Sequence, residues 1–189
     1  MEFRDVMLGR HSVREFSPEP VDRDKISRVV EAARHAPSSQ NEQPWRFYVT
    51  TGESRSRLGK VISQTTIHLS EYMDVLGPKG YEDAAHWYSE LGKAPVLICV
   101  ASPATEDSLA KLNRHLSVGA AIENLLLAAV DEGLAACNIT YSHWVEDEIA
   151  ALLGIPEDWD VLTVIAVGLP AESPAVAPAG RPDDTVWLD

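Results

Sequence analysis

Between Ser117 and Val130 the chain reads Ser–Val–Gly–Ala–Ala–Ile–Glu–Asn–Leu–Leu–Leu–Ala–Ala–Val, the second half of a helix predicted over residues 106–133 and ended by Gly133. Only Glu123 and Asn124 interrupt its apolar character. A helix that is apolar nearly all round has to be covered on every side, by its own domain or by a second subunit. With 189 residues, the chain suits one domain with a core of that kind. The apolar run Leu125–Val130 is far too short to cross a bilayer.

The rest of the chain supplies the cover. Residues 2–9 read as a short first helix ending at Gly9. Asp22 is placed to cap a second, whose Ile26, Val29, Val30 and Ala33 recur at helical spacing to about His35. Arg46–Thr51 is predicted as a strand with Phe47 and Val49 on one face. Gly52 and Glu53 open a third helix, which turns Leu58, Val61 and Ile62 inward. Ala94–Ala101 is continuously apolar, as a strand buried on both faces would be. Leu134–Thr140 and Asp160–Gly168 read as two more strands, with a helix over 145–153 closed by Gly154 and Pro156 between them. Helices interspersed with a few strands give an α/β or α+β sandwich. Residues 69–94 mix Tyr72, Tyr81, Trp87 and Tyr88 with Gly77, Pro78, Gly80 and Gly92. A mobile lid and a helical excursion packed on the body both fit this segment. After Leu169 comes a tail with Pro170, Pro174, Pro178 and Pro182 that ends Thr185–Val–Trp–Leu–Asp189; it has no room for a core of its own and is expected to dock on a partner subunit.

Charge and motif spacing remove several classes of function. A net charge of −13 repels nucleic acid and anionic membranes. The first residues carry mixed charge and no apolar signal-peptide segment, and the two cysteines, Cys99 and Cys137, lie in apolar strand-like runs, as buried reduced thiols of a cytoplasmic protein would. That placement also argues against glycosylation at the Asn138–Ile139–Thr140 sequon. No G-x-G-x-x-G follows a strand, and no G-x-S-x-G elbow is present. Gly52…Gly59–Lys60 lacks P-loop spacing. The six histidines show no metal-ligand spacing, so no metal is expected.

Two polar stretches remain as candidate sites. In Arg10–His11–Ser12–Val13–Arg14–Glu15–Phe16, extended backbone would turn Arg10, Ser12 and Arg14 to one side, a seat for a phosphate in an otherwise acidic chain. Arg181, in Gly180–Arg181–Pro182, could add a further cation. Surface ion pairs are the commoner use of such arginines. In Ala36–Pro37–Ser38–Ser39–Gln40–Asn41–Glu42–Gln43–Pro44–Trp45–Arg46–Phe47, Pro37 stops a helix and Pro44 holds Gln43 extended, with short polar side chains between. An ordinary connection and a rigid ligand-facing loop fit this stretch about equally well.

These stretches carry a family resemblance. Arg10–Phe16 resembles the R-x-S-x-R-x-F opening of the FMN-dependent nitroreductase superfamily, and Ala36–Phe47 its next block, in the expected order. Ser117–Ala128 is similar to that family's buried central helix; Gly133–Thr140 and Val164–Pro170 resemble the strands after it, and Gly180–Pro182 its closing basic turn. The resemblance runs from Arg10 to about Pro182, leaving out residues 69–94. It implies an α+β fold, a three-layer α/β/α sandwich with a mostly antiparallel sheet, formed by residues 1–189 as one FMN-binding domain and assembled as a homodimer. It also implies that Arg10, His11 and Ser12, helped by Arg181, hold the FMN phosphate, with Arg14 toward the ribityl chain and the N1–C2 edge of the flavin. Pro37, Ser38, Ser39 and Asn41 would line the isoalloxazine from the other subunit, Asn138, Ile139 and Thr140 would pass near N5, and Trp45 would pack in the core.

The implied activity is NAD(P)H-driven two-electron reduction of nitroaromatics, quinones or activated alkenes by a ping-pong mechanism. A flavoprotein dehydrogenase or oxidase and a flavin-binding protein without nicotinamide turnover are the alternatives. Glu71, Tyr72 and Lys79 do not match the spacing of the substrate clamp in the branch that dehalogenates iodotyrosine, so that activity is not implied.

Overall fold

The computed structural model describes residues 1–171 and 184–188. Its helices are α1 (Phe3–Gly9), α2 (Arg23–Arg34), α3 (Gly52–Ile62), α4 (Met73–Glu90), α5 (Ser108–Asp131) and α6 (Glu146–Leu153). The strands are β1 (Arg46–Thr51), β2 (Val96–Pro103), β3 (Ala135–Ile139) and β4 (Trp159–Gly168). The strands form one sheet in the order β1-β2-β4-β3, and every neighbouring pair is antiparallel.

Alternation along the strands divides the core in two. Val96, Ile98 and Val100 of β2 join Ile165 and Val167 of β4 beneath α2 and α5, where Val29, Ala33, Val118, Ala121, Leu125 and Ala129 bury their side chains. Leu97, Cys99, Val164 and Ala166 face the other way, against Leu58 and Ile62 of α3, Tyr88 of α4 and Ile149 of α6. The result is the expected three-layer α+β sandwich, with β2 buried along nearly its whole length. Trp45 packs in the α2/α5 layer.

The two polar interruptions of α5 have specific partners. Asn124 donates Nδ2 to the Ala32 carbonyl near the end of α2 at 3.3 Å, and Glu123 accepts from Arg10 Nε at 3.1 Å. The described residues nevertheless leave part of α5 uncovered. Leu109, Leu112 and Leu116, spaced three and four residues apart, stay 64%, 55% and 66% exposed.

Residues 63–90 are helical. A 3₁₀ stretch, Ser63–Tyr72, leads into α4, which is kinked at Gly77 (φ 67°) just before Pro78. Gly77 takes a left-handed conformation open to glycine, and Pro78 then starts a fresh turn, where its missing N–H costs nothing. The segment is helical, and its Tyr88 packs in the α3/α6 layer.

β1 departs from its expected alternation. Val49 is 45% exposed, whereas Thr50 is buried and donates Oγ1 to the Leu97 carbonyl at 3.0 Å. Phe47 reaches the α2/α5 core, but Val49 on the same face lies beyond it, in a groove with Val21, Ile26 and Arg55.

The opposite edge of the sheet is strapped by the segment after α1. Ser12 pairs in parallel with Ala136 of β3, and Val13 N–H donates to the Ala136 carbonyl at 3.2 Å. Phe16 N–H donates to Gly92 O at 2.8 Å and Ser17 N–H to Leu169 O at 2.9 Å. None of the described helices is long and apolar enough to cross a membrane.

Candidate functional site

Arg14 sits where the strap meets the end of α4. Trp87 Nε1 donates to the Arg14 carbonyl at 2.6 Å, and Gly92 lies so close that a Cβ there would stand 1.8 Å from the same oxygen. Leu91, Gly92 and Lys93 all have positive φ (53°, 58° and 64°), a left-handed turn that brings α4 back under the strap. Such backbone is strained for the two non-glycine residues and persists only where its surroundings enforce it.

Beside Arg14 opens a cavity of about 520 Å³ whose lining includes Trp87 and Tyr88 of α4, Cys137 and Asn138 of β3, and Tyr141. Tyr88 and Tyr141 stand 5.6 Å apart by ring centroid, and Tyr72 meets the edge of Tyr141 at 5.5 Å, so the helical excursion and the residues after β3 share one aromatic wall. No ion pair engages the Arg14 guanidinium among the described residues. Burial raises the Cys137 thiol pKa, with the Arg14 charge opposing, and burial pushes Cys99 up to about 12. Both thiols therefore stay protonated near neutrality, and neither is poised as a nucleophile.

The predicted site residues fall into three groups. Arg14 and Asn138 line the cavity just described, and Ile139 and Thr140 follow directly at the end of β3. Ile139 is buried and Thr140 exposed; Thr163 Oγ1 lies 2.5 Å from Asn138 Oδ1 and 3.0 Å from the Ile139 carbonyl. Arg10 and His11 line a separate apolar pocket of about 450 Å³ with Leu8, Leu126 and Val130. Arg10 is engaged by Glu123, and His11 Nδ1 lies 2.9 Å from Gly9 O, whereas Ser12 is exposed on the strap. The expected single face of Arg10, Ser12 and Arg14 is thus divided, because the Glu123 carboxylate draws Arg10 toward α5.

Pro37, Ser38, Ser39 and Asn41 form the third group, in the loop leading to β1, at the sheet edge opposite β3. Gln40, Asn41 and Gln43 there adopt φ values of 51°, 57° and 51°. Within one chain this loop and the Arg14 cavity belong to opposite edges of the sheet. Arg181 lies outside the described residues.

Glu71 pairs with His68 at 3.1 Å, Lys79 with Asp83 at 2.6 Å, and Tyr72 meets the edge of Tyr141. No group of three His, Cys, Asp or Glu residues that could hold a metal occurs among the described residues. Tyr88 and Trp87 were named from the sequence among the aromatics of residues 69–94, but Tyr141 and the contact of Trp87 with Arg14 were not picked out. Tyr141 adjoins a stretch that was, but nothing local marks Trp87 as the partner of a residue 73 positions earlier.

Residues that fit a phosphorylated, planar, acceptor-rich group are present: a guanidinium free of ion pairs among the described residues, an amide, and aromatic walls around one cavity, with a second arginine and a serine further along the same strap. Known proteins resemble the chain over most of its length. A 4-nitrobenzoate reductase of Pseudomonas putida is 26% identical over 201 residues, covering 93% of this chain and 88% of that protein. A 5,6-dimethylbenzimidazole synthase of Rhodospirillum rubrum is 30% identical over 187 residues, covering 90% and 84%. The crystal structure of a BluB-like flavoprotein from Clostridium difficile 630 superposes over 100% of both chains with a TM-score of 0.81 at 26% identity. A family model described as the nitroreductase family matches residues 7–169, and the chain belongs to that family.

Proposed function

We propose that the protein is an FMN-dependent oxidoreductase that takes two electrons from NADH or NADPH and passes them, in a ping-pong cycle, to a nitroaromatic, a quinone or an activated alkene. The observation that carries this reading is the Arg14 cavity: a permanent cation free of ion pairs among the described residues, facing an aromatic chamber in a chain of the nitroreductase family. FMN, when bound, supplies the centre that accepts and returns the hydride. Arg14 supplies a fixed positive charge for the electron-rich edge of the ring system, and the Trp87 bond and the Gly92 contact hold its backbone so that the charge needs no reorganisation. Ser12 and Arg10 offer donors for the phosphate; Arg10 would exchange its exposed pairing with Glu123 for it. Tyr88 and Tyr141 give the chamber apolar walls that exclude water from the reacting face.

The same reading assigns the exposed α5 leucines to a homodimer interface and brings the Pro37–Asn41 loop of one subunit to the cavity of the other. One domain over 1–189 with its C-terminal tail on the partner, and a cytoplasmic location, complete the proposal.

The deciding experiment is a visible absorption spectrum of the purified protein, repeated after anaerobic addition of NADPH and then NADH. An oxidised-flavin spectrum that bleaches is expected, and Arg14→Met should lower flavin occupancy at equal protein concentration. No flavin spectrum, even after adding FMN, would overturn the reading. A second reading, a flavoprotein oxidase or synthase acting on a metabolite, draws on the similarity to the 5,6-dimethylbenzimidazole synthase. It predicts product formation that requires oxygen, which a substrate panel run with and without air separates.

A further inference from the structure

We propose that Arg114 is a positioning residue for FMN, acting by clamping the Ser38–Gln43 loop in its left-handed shape; the inference rests on the FMN reading above. Gln40, Asn41 and Gln43 have φ of 51°, 57° and 51° within four residues, and none is glycine. Strained backbone of this kind reverts unless contacts from outside the segment hold it. The bonds inside the loop, Gln43 N–H to Ser38 Oγ at 2.9 Å and Asn41 N–H to Ser38 O at 3.1 Å, give it a shape but do not fix it to the body.

Two residues of α5 do. Ser117 accepts from Ser39 N–H at 3.2 Å while donating to its own helix at Asn113 O, 2.6 Å away. Arg114, one turn earlier, holds Glu42 Oε1 through Nε at 2.9 Å and Nη2 at 2.7 Å. Its third nitrogen, Nη1, donates to the Pro103 and Ala104 carbonyls at 3.2 Å each, where β2 ends. The guanidinium therefore ties the loop to a helix and to the central strand at once. The Arg114 side chain is 20% exposed and the Glu42 side chain 39%. Glu42 sits between Asn41 and Gln43, both left-handed, so a pull on its carboxylate bears on the strained backbone itself.

The test compares wild type, Arg114→Met, Glu42→Gln, Gln40→Gly and the double variant Arg114→Met/Gln40→Gly, each apoprotein titrated with FMN by quenching of flavin fluorescence. Visible circular dichroism of the bound flavin and thermal melting accompany each titration. Arg114→Met is expected to weaken FMN binding about tenfold and to alter the flavin dichroism. Glu42→Gln keeps the acceptor oxygen and should lose less. The double variant should recover part of the affinity, because glycine occupies φ near 51° without strain and so removes one of the three strained positions that the clamp holds. A fold-maintaining role alone would lower the melting temperature without that recovery. Unchanged affinity and dichroism in both Arg114→Met and Glu42→Gln, or failure of Gln40→Gly to restore binding, would overturn the clamp while leaving the FMN reading intact. Failure of the wild type itself to bind FMN would overturn both.

Discussion

At the scale of single residues, Gly92 is the most tightly enclosed glycine among the described residues. Its φ of 58° admits few side chains, and its missing Cβ leaves room for the Arg14 carbonyl. Gly92→Ala would drive a methyl group against backbone instead of a flexible side chain, so no rotamer change relieves it. We expect a loss of about 3 kcal/mol or more in urea unfolding, with reduced flavin occupancy in the protein that still folds. Arg14 could be picked out from the sequence as a candidate because an arginine spaced regularly with Ser12 and Arg10 is a local pattern. The residues that aim it could not. Trp87 and Gly92 meet it only after the chain has gone out through α4 and back, and that closure is a property of the tertiary fold. The clamp on the Ser38 loop is hidden for the same reason, since Glu42 and Arg114 are 72 positions apart.

At the scale of elements, α2 is fastened to the end of α5 by electrostatics as well as by packing. Arg28 grips Glu132 with two bonds, Nε to Oε1 at 2.6 Å and Nη2 to Oε2 at 2.7 Å, and Lys25 donates to the Glu132 carbonyl at 2.7 Å. The Arg28 hydrogen bonds hold the Glu132 carboxyl below its ordinary value of 4.5. A carboxyl depressed in the folded state stabilises it fully above the ordinary value, and the contribution is lost as pH falls through the folded value. Arg28→Met should therefore be less stable than wild type at pH 7, and the gap should narrow steadily below about pH 4.5 in parallel urea titrations. A gap independent of pH would assign the effect to packing.

Helices α2, α3, α5 and α6 were legible because their apolar spacing and their ends, at Asp22, Gly133 and Gly154, are written locally. Residues 63–90 were not, since Gly77, Pro78 and Gly80 look like loop chemistry, yet the break they encode is one kink within a helical run. In β1 the alternation of Phe47 with Val49 misled because burial of an edge strand depends on how far the helices above it extend.

Taken as a whole molecule, one chain is an unfinished object on the dimer reading. The α5 face of Leu109, Leu112 and Leu116 meets no cover among the described residues, and the two halves of the proposed site stand at opposite sheet edges. Leu112→Glu combined with Leu116→Glu should leave the monomer folded, since both side chains are already exposed, while sedimentation shifts from dimer to monomer and flavin is lost together with it. A dimer that survives these charges would place the interface elsewhere.

The strap over the edge of β3 also bears on how the protein comes into being. Residues 12–17 are synthesised before any of their partners, Gly92, Ala136 and Leu169. Pairings of such sequence separation carry a loop-closure cost before they return any stability. Ser12 and Arg14 are thus made before the residues that place them, and a nascent chain has no finished strap until β4 has been translated and has paired.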